Sequence, residues 1–150
     1  ARKLREDYPN LEHEEMIVDA CAMQLAMNPH RFDVLVTTNL FGDILSDLCA
    51  GLIGGLGVAP GANIGEHGGL FEAVHGSAPD IAGKGVANPT AIMLAGAMML
   101  DYMEQHDKAK RLRRTVRHVV GQGEIVTPDL GGRASTTEFT DELIRHLTNQ

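Results

Sequence analysis

The chain has 150 residues, 43% of them hydrophobic and 22% charged, with a formal net charge of −7. Such length and apolar content suit an ordinary folded domain and exclude disorder. The acidic balance argues against nonspecific nucleic-acid binding, which needs a surplus of Lys and Arg, and no apolar run reaches the roughly 18–20 residues of a membrane span.

The opening ARKLREDYP has no initiating Met, signal peptide or transit peptide. It reads as the end of a helix stopped before Pro9, so the chain is expected to be a fragment of something longer. LEHEEMIV (11–18) alternates enough for a strand. Asp19 then stands as the cap of a short helix, ACAMQLAMN, which Pro29 ends. FDVLVTT (32–38) is a β-rich apolar run that predicts a buried strand. Asn39 follows as an N-cap, with the helix containing GDILSD (42–47) behind it. Strand, cap, helix is α/β grammar.

Residues 51–69 hold eight of the 17 glycines, and PGANIGEHGG reads as a loop. LFEAVH is a short strand candidate, and HGSAPDIAGKG a second loop with room for one helical turn. Asn88-Pro89 signals a helix start, cap followed by proline at the first helical position. The helix TAIMLAGAMMLDYM is apolar nearly all round and is expected in a core, with Met93, Met98, Met99 and Met103 as filler. DKAKRLRRTVRHVVG predicts an amphipathic surface helix ending at Gly121. Its basic run, Lys108 to Arg117, is the solvated face of that helix. Ser135 and Glu138 form a capping box for a last helix through Leu147. Cys21 and Cys49 lie in apolar helical segments, which fits buried thiols in a reducing compartment better than a disulfide.

The glycine-rich stretches fail the common nucleotide templates. In GLGVAP, Pro60 stands where the dinucleotide fingerprint has its third glycine. In GSAPDIAGKG, Ala78 replaces the first glycine of a phosphate loop and Gly85 the Ser/Thr after Lys84. Asp43 and Asp47 are more suggestive. At i, i+4 they share one helical face, which suits either a hard divalent cation such as Mg²⁺ or Mn²⁺ or a helix cap with a solvent-facing carboxylate. Within so apolar a stretch, two carboxylates need a partner. His75, Asp80 and Asn88 taken singly are as compatible with turns and caps as with a site.

Together, NLFGDILSDLCAGLIGGLG (39–57) and HGSAPDIAGKGVANP (75–89) resemble the signature and the adenosine-binding loop of the isocitrate and isopropylmalate dehydrogenase family. The resemblance covers nearly the whole chain. It implies an α/β, two-domain, non-Rossmann fold of which this chain is the C-terminal portion. Residues 1–55 would end the smaller domain, with metal ligands and dimer interface, and 56–150 would belong to the larger. Family members oxidise a 2-hydroxy acid with a nicotinamide cofactor and then decarboxylate the β-keto acid.

Carried over, Asp43 and Asp47 would be ligands of Mg²⁺ or Mn²⁺, and Asp19 a third ligand donated across a homodimer or larger oligomer. Glu72, His75, Gly76, Ser77, Ala78, Pro79, Asp80, Ile81 and Asn88 would contact NAD, with Asp129 nearby. Asp80 and Ile81 stand where NADP-dependent relatives carry lysine and tyrosine. The family's catalytic tyrosine, lysine and arginines precede this region, and Lys3, Tyr8 and Tyr102 do not match their contexts. The resemblance leans toward NAD-dependent isocitrate dehydrogenases, with homoisocitrate and 3-isopropylmalate enzymes as alternatives, and a bacterial cytoplasmic or mitochondrial matrix location. A noncatalytic regulatory subunit is a further alternative, disfavoured by the intact aspartates.

Overall fold

The computed structural model describes residues 2–149. Two compact units make up the chain, Ala1–Cys49 and Ala50–Gln150. The division falls inside a helix, somewhat before the boundary expected near residue 55.

In the first unit, the opening segment contains only a 3-10 turn at Arg5–Asp7 rather than the end of an α-helix. Helix α1 spans Val18–Met27, and α2 spans Asn39–Leu52, crossing into the second unit. Cys21 and Leu25 of α1 and Leu45 of α2 form a small buried core, flanked by Met16, Val18, Phe32 and Leu48. Both cysteines are free, Cys21 buried and Cys49 half-buried.

The two strands expected here do not form. Residues 12–17 and 32–38 carry no strand pairing, although Ile17 has extended dihedrals. A strand exists only through a neighbour's hydrogen bonds, and among the described residues no sheet edge meets either segment. The run expected to be buried is instead open, with Val34 81% and Val36 87% exposed. Two caps are also displaced, by two residues at α1 and by one at α2. Asp19 lies inside α1 behind the N-cap Ile17, and Asn39 is already helical, since Thr38 supplies the carbonyl for the Gly42 N–H at 2.9 Å.

The second unit begins with a hairpin that composition hid. β1 (Pro60–Ile64) pairs antiparallel with β2 (Gly69–Ala73), from Pro60 opposite Ala73 to Ile64 opposite Gly69. PGANI is therefore strand, not loop: pairing to β2 overrides the turn-like composition. The Gly65 N–H closes the connection on the Gly68 carbonyl at 2.8 Å.

Helix α3 (Thr90–Tyr102) packs on both strands and on α4 (His106–Gln122), which in turn packs on α5 (Thr136–Thr148). Ala91, Ala95 and Ala97 of α3 are fully buried, and small side chains of this kind permit close approach. The helix is apolar on all sides but buried only in part. Ile92, Met99 and Met103 are exposed, so the expectation of a wholly buried helix with methionine filler fails for Met99 and Met103. Phe139 and Leu143 of α5 are completely buried against Val116, Val119 and Val126. Helix α4 runs past Gly121 and stops at Gly123, whose φ of 69° is the left-handed C-cap conformation.

Arg113 and then His106 pair with Asp101, together holding its carboxyl below the ordinary range. The capping box of α5 is complete. The Ser135 N–H donates to Glu138 Oε2 at 2.7 Å and the Glu138 N–H to Ser135 Oγ at 3.2 Å. The Ser135 backbone donor, followed by its hydroxyl, also lowers the Glu138 pKa.

Between α4 and α5 the chain folds onto itself, with the Ala134 N–H on the Val126 carbonyl and the Gly132 N–H on that of Thr127. A Cβ at Gly132 would lie 2.0 Å from the Val126 carbonyl oxygen. Gly132→Ala must therefore push backbone away from backbone. A loss of about 1–3 kcal/mol is expected, read as a lowered Tm of the intact protein; an unchanged Tm would contradict this packing.

Candidate functional site

Asp43 and Asp47 occupy consecutive turns of α2 and are both exposed. The four-residue spacing puts them on one helical face. The demand for a buried counter-charge thus disappears, because water reaches both carboxylates. Among the described residues neither forms a salt bridge, and Asp43 Oδ2 has only a long contact of 3.4 Å from the Asn39 amide. Two oxygen donors with open positions between them fit a hard divalent cation, which takes one or two carboxylates and completes its shell with water and substrate. Asp19 is exposed in the first turn of α1, its Oδ1 accepting the Ala20 N–H at 2.6 Å. Among the described residues no three His, Cys, Asp or Glu side chains converge on one point. The chain by itself brings together two of the expected ligands.

The candidate adenosine loop lies in the second unit. His75 Nδ1 meets the Gly76 carbonyl oxygen at 3.0 Å. Ala78 has φ 44° and ψ 62°, the left-handed region that an alanine rarely enters. Directly after it, Pro79–Ile81 form a 3-10 turn that carries Asp80 and Ile81. Residues 74–85 are exposed, and neither Asp80 nor Lys84 forms a salt bridge among the described residues. Glu72 sits apart on β2, its Oε1 accepting from the Asn63 amide across the hairpin at 3.1 Å.

The loop ends at Asn88, which is buried at 9% exposure. Its Oδ1 accepts the Thr90 N–H at 2.9 Å, while its Nδ2 donates to Asp129 Oδ2 at 2.9 Å. Asn88 thus satisfies the first N–H of α3, but from one residue further out than expected: the N-cap is Pro89, which is not the first helical residue. The link to Asp129 was not legible, because it joins positions 41 residues apart. Thr136 was missed altogether. Its N–H donates to the Gly85 carbonyl at 2.7 Å and its Oγ1 to the Ala87 carbonyl at 2.6 Å. Ser135 beside it carried the recognisable capping signal, and nothing local pointed to Thr136.

The isocitrate/isopropylmalate dehydrogenase family pattern matches residues 1–143, and the chain belongs to that family. An isocitrate/homoisocitrate dehydrogenase of Thermus thermophilus is 57% identical over 146 residues, covering 97% of this chain and 43% of that protein. The mitochondrial NAD isocitrate dehydrogenase catalytic subunit 5 of Arabidopsis thaliana is 52% identical over 147 residues, 97% of this chain and 39% of its own length. Among solved structures, the isocitrate dehydrogenase of Methylococcus capsulatus superposes with a TM-score of 0.90 at 56% identity, over 97% of this chain and 44% of that one. The fold is accordingly of the isocitrate/isopropylmalate dehydrogenase type. The chain spans less than half the length of these relatives.

Because Asn88 works as acceptor and donor at once, its replacements should separate the two tasks. Asn88→Ala loses both and is expected to cost about 1–3 kcal/mol. Asn88→Asp keeps the acceptor for Thr90 but sets a carboxylate against Asp129. Relative to wild type, that variant should be destabilised at neutral pH and recover on acidification, when one carboxylate of the pair takes up a proton. Thermal melts across pH check both; a constant deficit for Asn88→Asp would rule out the facing pair.

Proposed function

We propose that the intact protein oxidises isocitrate with NAD and releases CO₂ and 2-oxoglutarate, using Mg²⁺ or Mn²⁺ and working as a dimer or larger oligomer. The observation that carries this reading is the pair of exposed carboxylates, Asp43 and Asp47, one turn apart and unneutralised by any cation among the described residues. These two would hold the metal, with Asp19 of a second copy as the third ligand. When bound, the cation supplies Lewis-acid polarisation of the substrate's oxygen and stabilises the enolate charge that develops as CO₂ leaves. The chain's own part is positional. Asp43 and Asp47 fix where a chelated hydroxy acid lies, and the 75–88 loop fixes where the adenosine end of the cofactor lies.

Support for NAD comes from Asp80. A carboxylate can accept hydrogen bonds from both ribose hydroxyls, whereas the 2′-phosphate of NADP carries about −2 charge. Asp80 faces no compensating cation among the described residues. The NAD named for the Arabidopsis relative agrees with this. The choice of isocitrate rests on the names of the relatives and on the run after Asp47. Turnover of isocitrate, homoisocitrate and 3-isopropylmalate by the intact protein, with each cofactor and with chelator, tests the proposal. Failure of all three to reduce NAD in the presence of Mn²⁺ would refute it.

Two variants probe the separate halves. Asp47→Asn and Asp19→Asn should each weaken Mn²⁺ binding, measured directly by titration, and lower turnover by orders of magnitude while the fold persists. Wild-type Mn²⁺ affinity in either variant would remove that residue from the metal site. In the second half, Asp80→Lys with Ile81→Tyr should shift the NAD/NADP ratio of kcat/KM toward NADP by at least tenfold, or roughly 1.4 kcal/mol. An unmutated enzyme that already prefers NADP would show that Asp80 does not set the choice.

A further inference from the structure

Residues 74–85 are exposed along their whole length, and the loop contains two left-handed glycines, Gly83 (φ 76°) and Gly85 (φ 65°), around which a Cβ would meet nothing. Within it, short-range turn bonds run from the Ile81, Ala82 and Lys84 N–H groups to the carbonyls of Ala78, Pro79 and Ile81, and these shape the turn without fixing the loop to the rest of the unit. Its far end, by contrast, is held from outside. The Thr136 N–H reaches the Gly85 carbonyl at 2.7 Å and the Thr136 hydroxyl the Ala87 carbonyl at 2.6 Å. Asn88 follows with its own two bonds. Thr136 is the first residue of α5, and Ser135 before it already provides the helix cap. The Thr136 hydroxyl is therefore not needed by its own helix. The helix bearing it is rigidly seated, through the capping box and the fully buried Phe139 and Leu143.

We infer that Thr136 is a positioning residue for the cofactor: it sets the adenosine loop against α5, so that the loop is ordered before NAD arrives. This rests on the NAD reading above. A loop shaped in advance loses less conformational entropy on binding, so removing the clasp should weaken cofactor binding and leave the binding of the hydroxy acid alone. The backbone bond to Gly85 survives any side-chain change, and only the hydroxyl's bond to Ala87 is lost.

The test is made in the intact protein. Thr136→Val keeps the shape and deletes the donor; Thr136→Ala deletes it with less bulk; Thr136→Ser keeps it. For the first two, the KM for NAD is expected to rise about three- to tenfold, the scale of one lost hydrogen bond. The KM for the hydroxy acid should stay unchanged, and kcat should fall by less than the NAD KM rises. Thr136→Ser should return the NAD KM to near wild type. An unchanged NAD KM in both Thr136→Val and Thr136→Ala overturns the inference. So does a parallel loss of Tm and of affinity for both substrates that serine does not rescue, because that is the mark of a merely structural contact. A wild-type protein that reduces no nicotinamide cofactor overturns this inference and the proposed function together, whereas NAD use without the KM split overturns this one alone.

Discussion

Much of the second unit depends on one side chain offering a donor and an acceptor in opposite directions. Asn88 gives its amide to Asp129 and its carbonyl to the first N–H of α3, each at 2.9 Å. Aspartate lacks the donor, and a hydroxyl lacks the span. The pair also explains a glycine that composition alone made look like part of a nucleotide cradle. A Cβ on Gly57 would come within 3.1 Å of Asp129 Oδ2 and 3.5 Å of Asn88 Cβ. The backbone at 57 is brought close to the pair, and only glycine permits that approach without something yielding. Loop, helix start and glycine-rich turn are therefore tied at one point.

The first unit follows a different logic. Its core is small, and its acidic residues face water. Two carboxylates on one helical face repel each other weakly in solvent, so the fold tolerates them without a built-in counter-ion. That tolerance is what leaves them available to an external cation. A pair already neutralised by lysine or arginine would be more comfortable and chemically idle.

How much of this was legible varied with the range of the interaction responsible. Helices α3, α4 and α5 were recognisable because caps and periodicity are local, and the Ser135–Glu138 box could be read letter by letter. The hairpin at 60–73 was not, because PGANI owes its conformation to pairing with GLFEA rather than to its own residues. The reverse occurred at 32–38, where Val34 and Val36 have strand-like neighbours in sequence but meet no paired strand among the described residues and stand exposed. In the candidate site, the aspartates and the loop were visible as motifs. The contacts organising that loop were not, since Asp129 and Thr136 act on positions 41 and 49 residues away.

Ala78 gives the loop a further property. An L-residue in the left-handed region costs on the order of 1–2 kcal/mol, and glycine would occupy it more cheaply. Glycine, however, would also widen the set of conformations open to the unbound chain. With alanine, the turn bearing Asp80 behaves as a loaded spring: its shape persists only while the surrounding contacts outweigh the strain. Loosening them would let residue 78 relax to an ordinary conformation and change the course of the chain into the following turn. The direction taken by the Pro79–Ile81 turn is thus set by its surroundings as much as by its own residues.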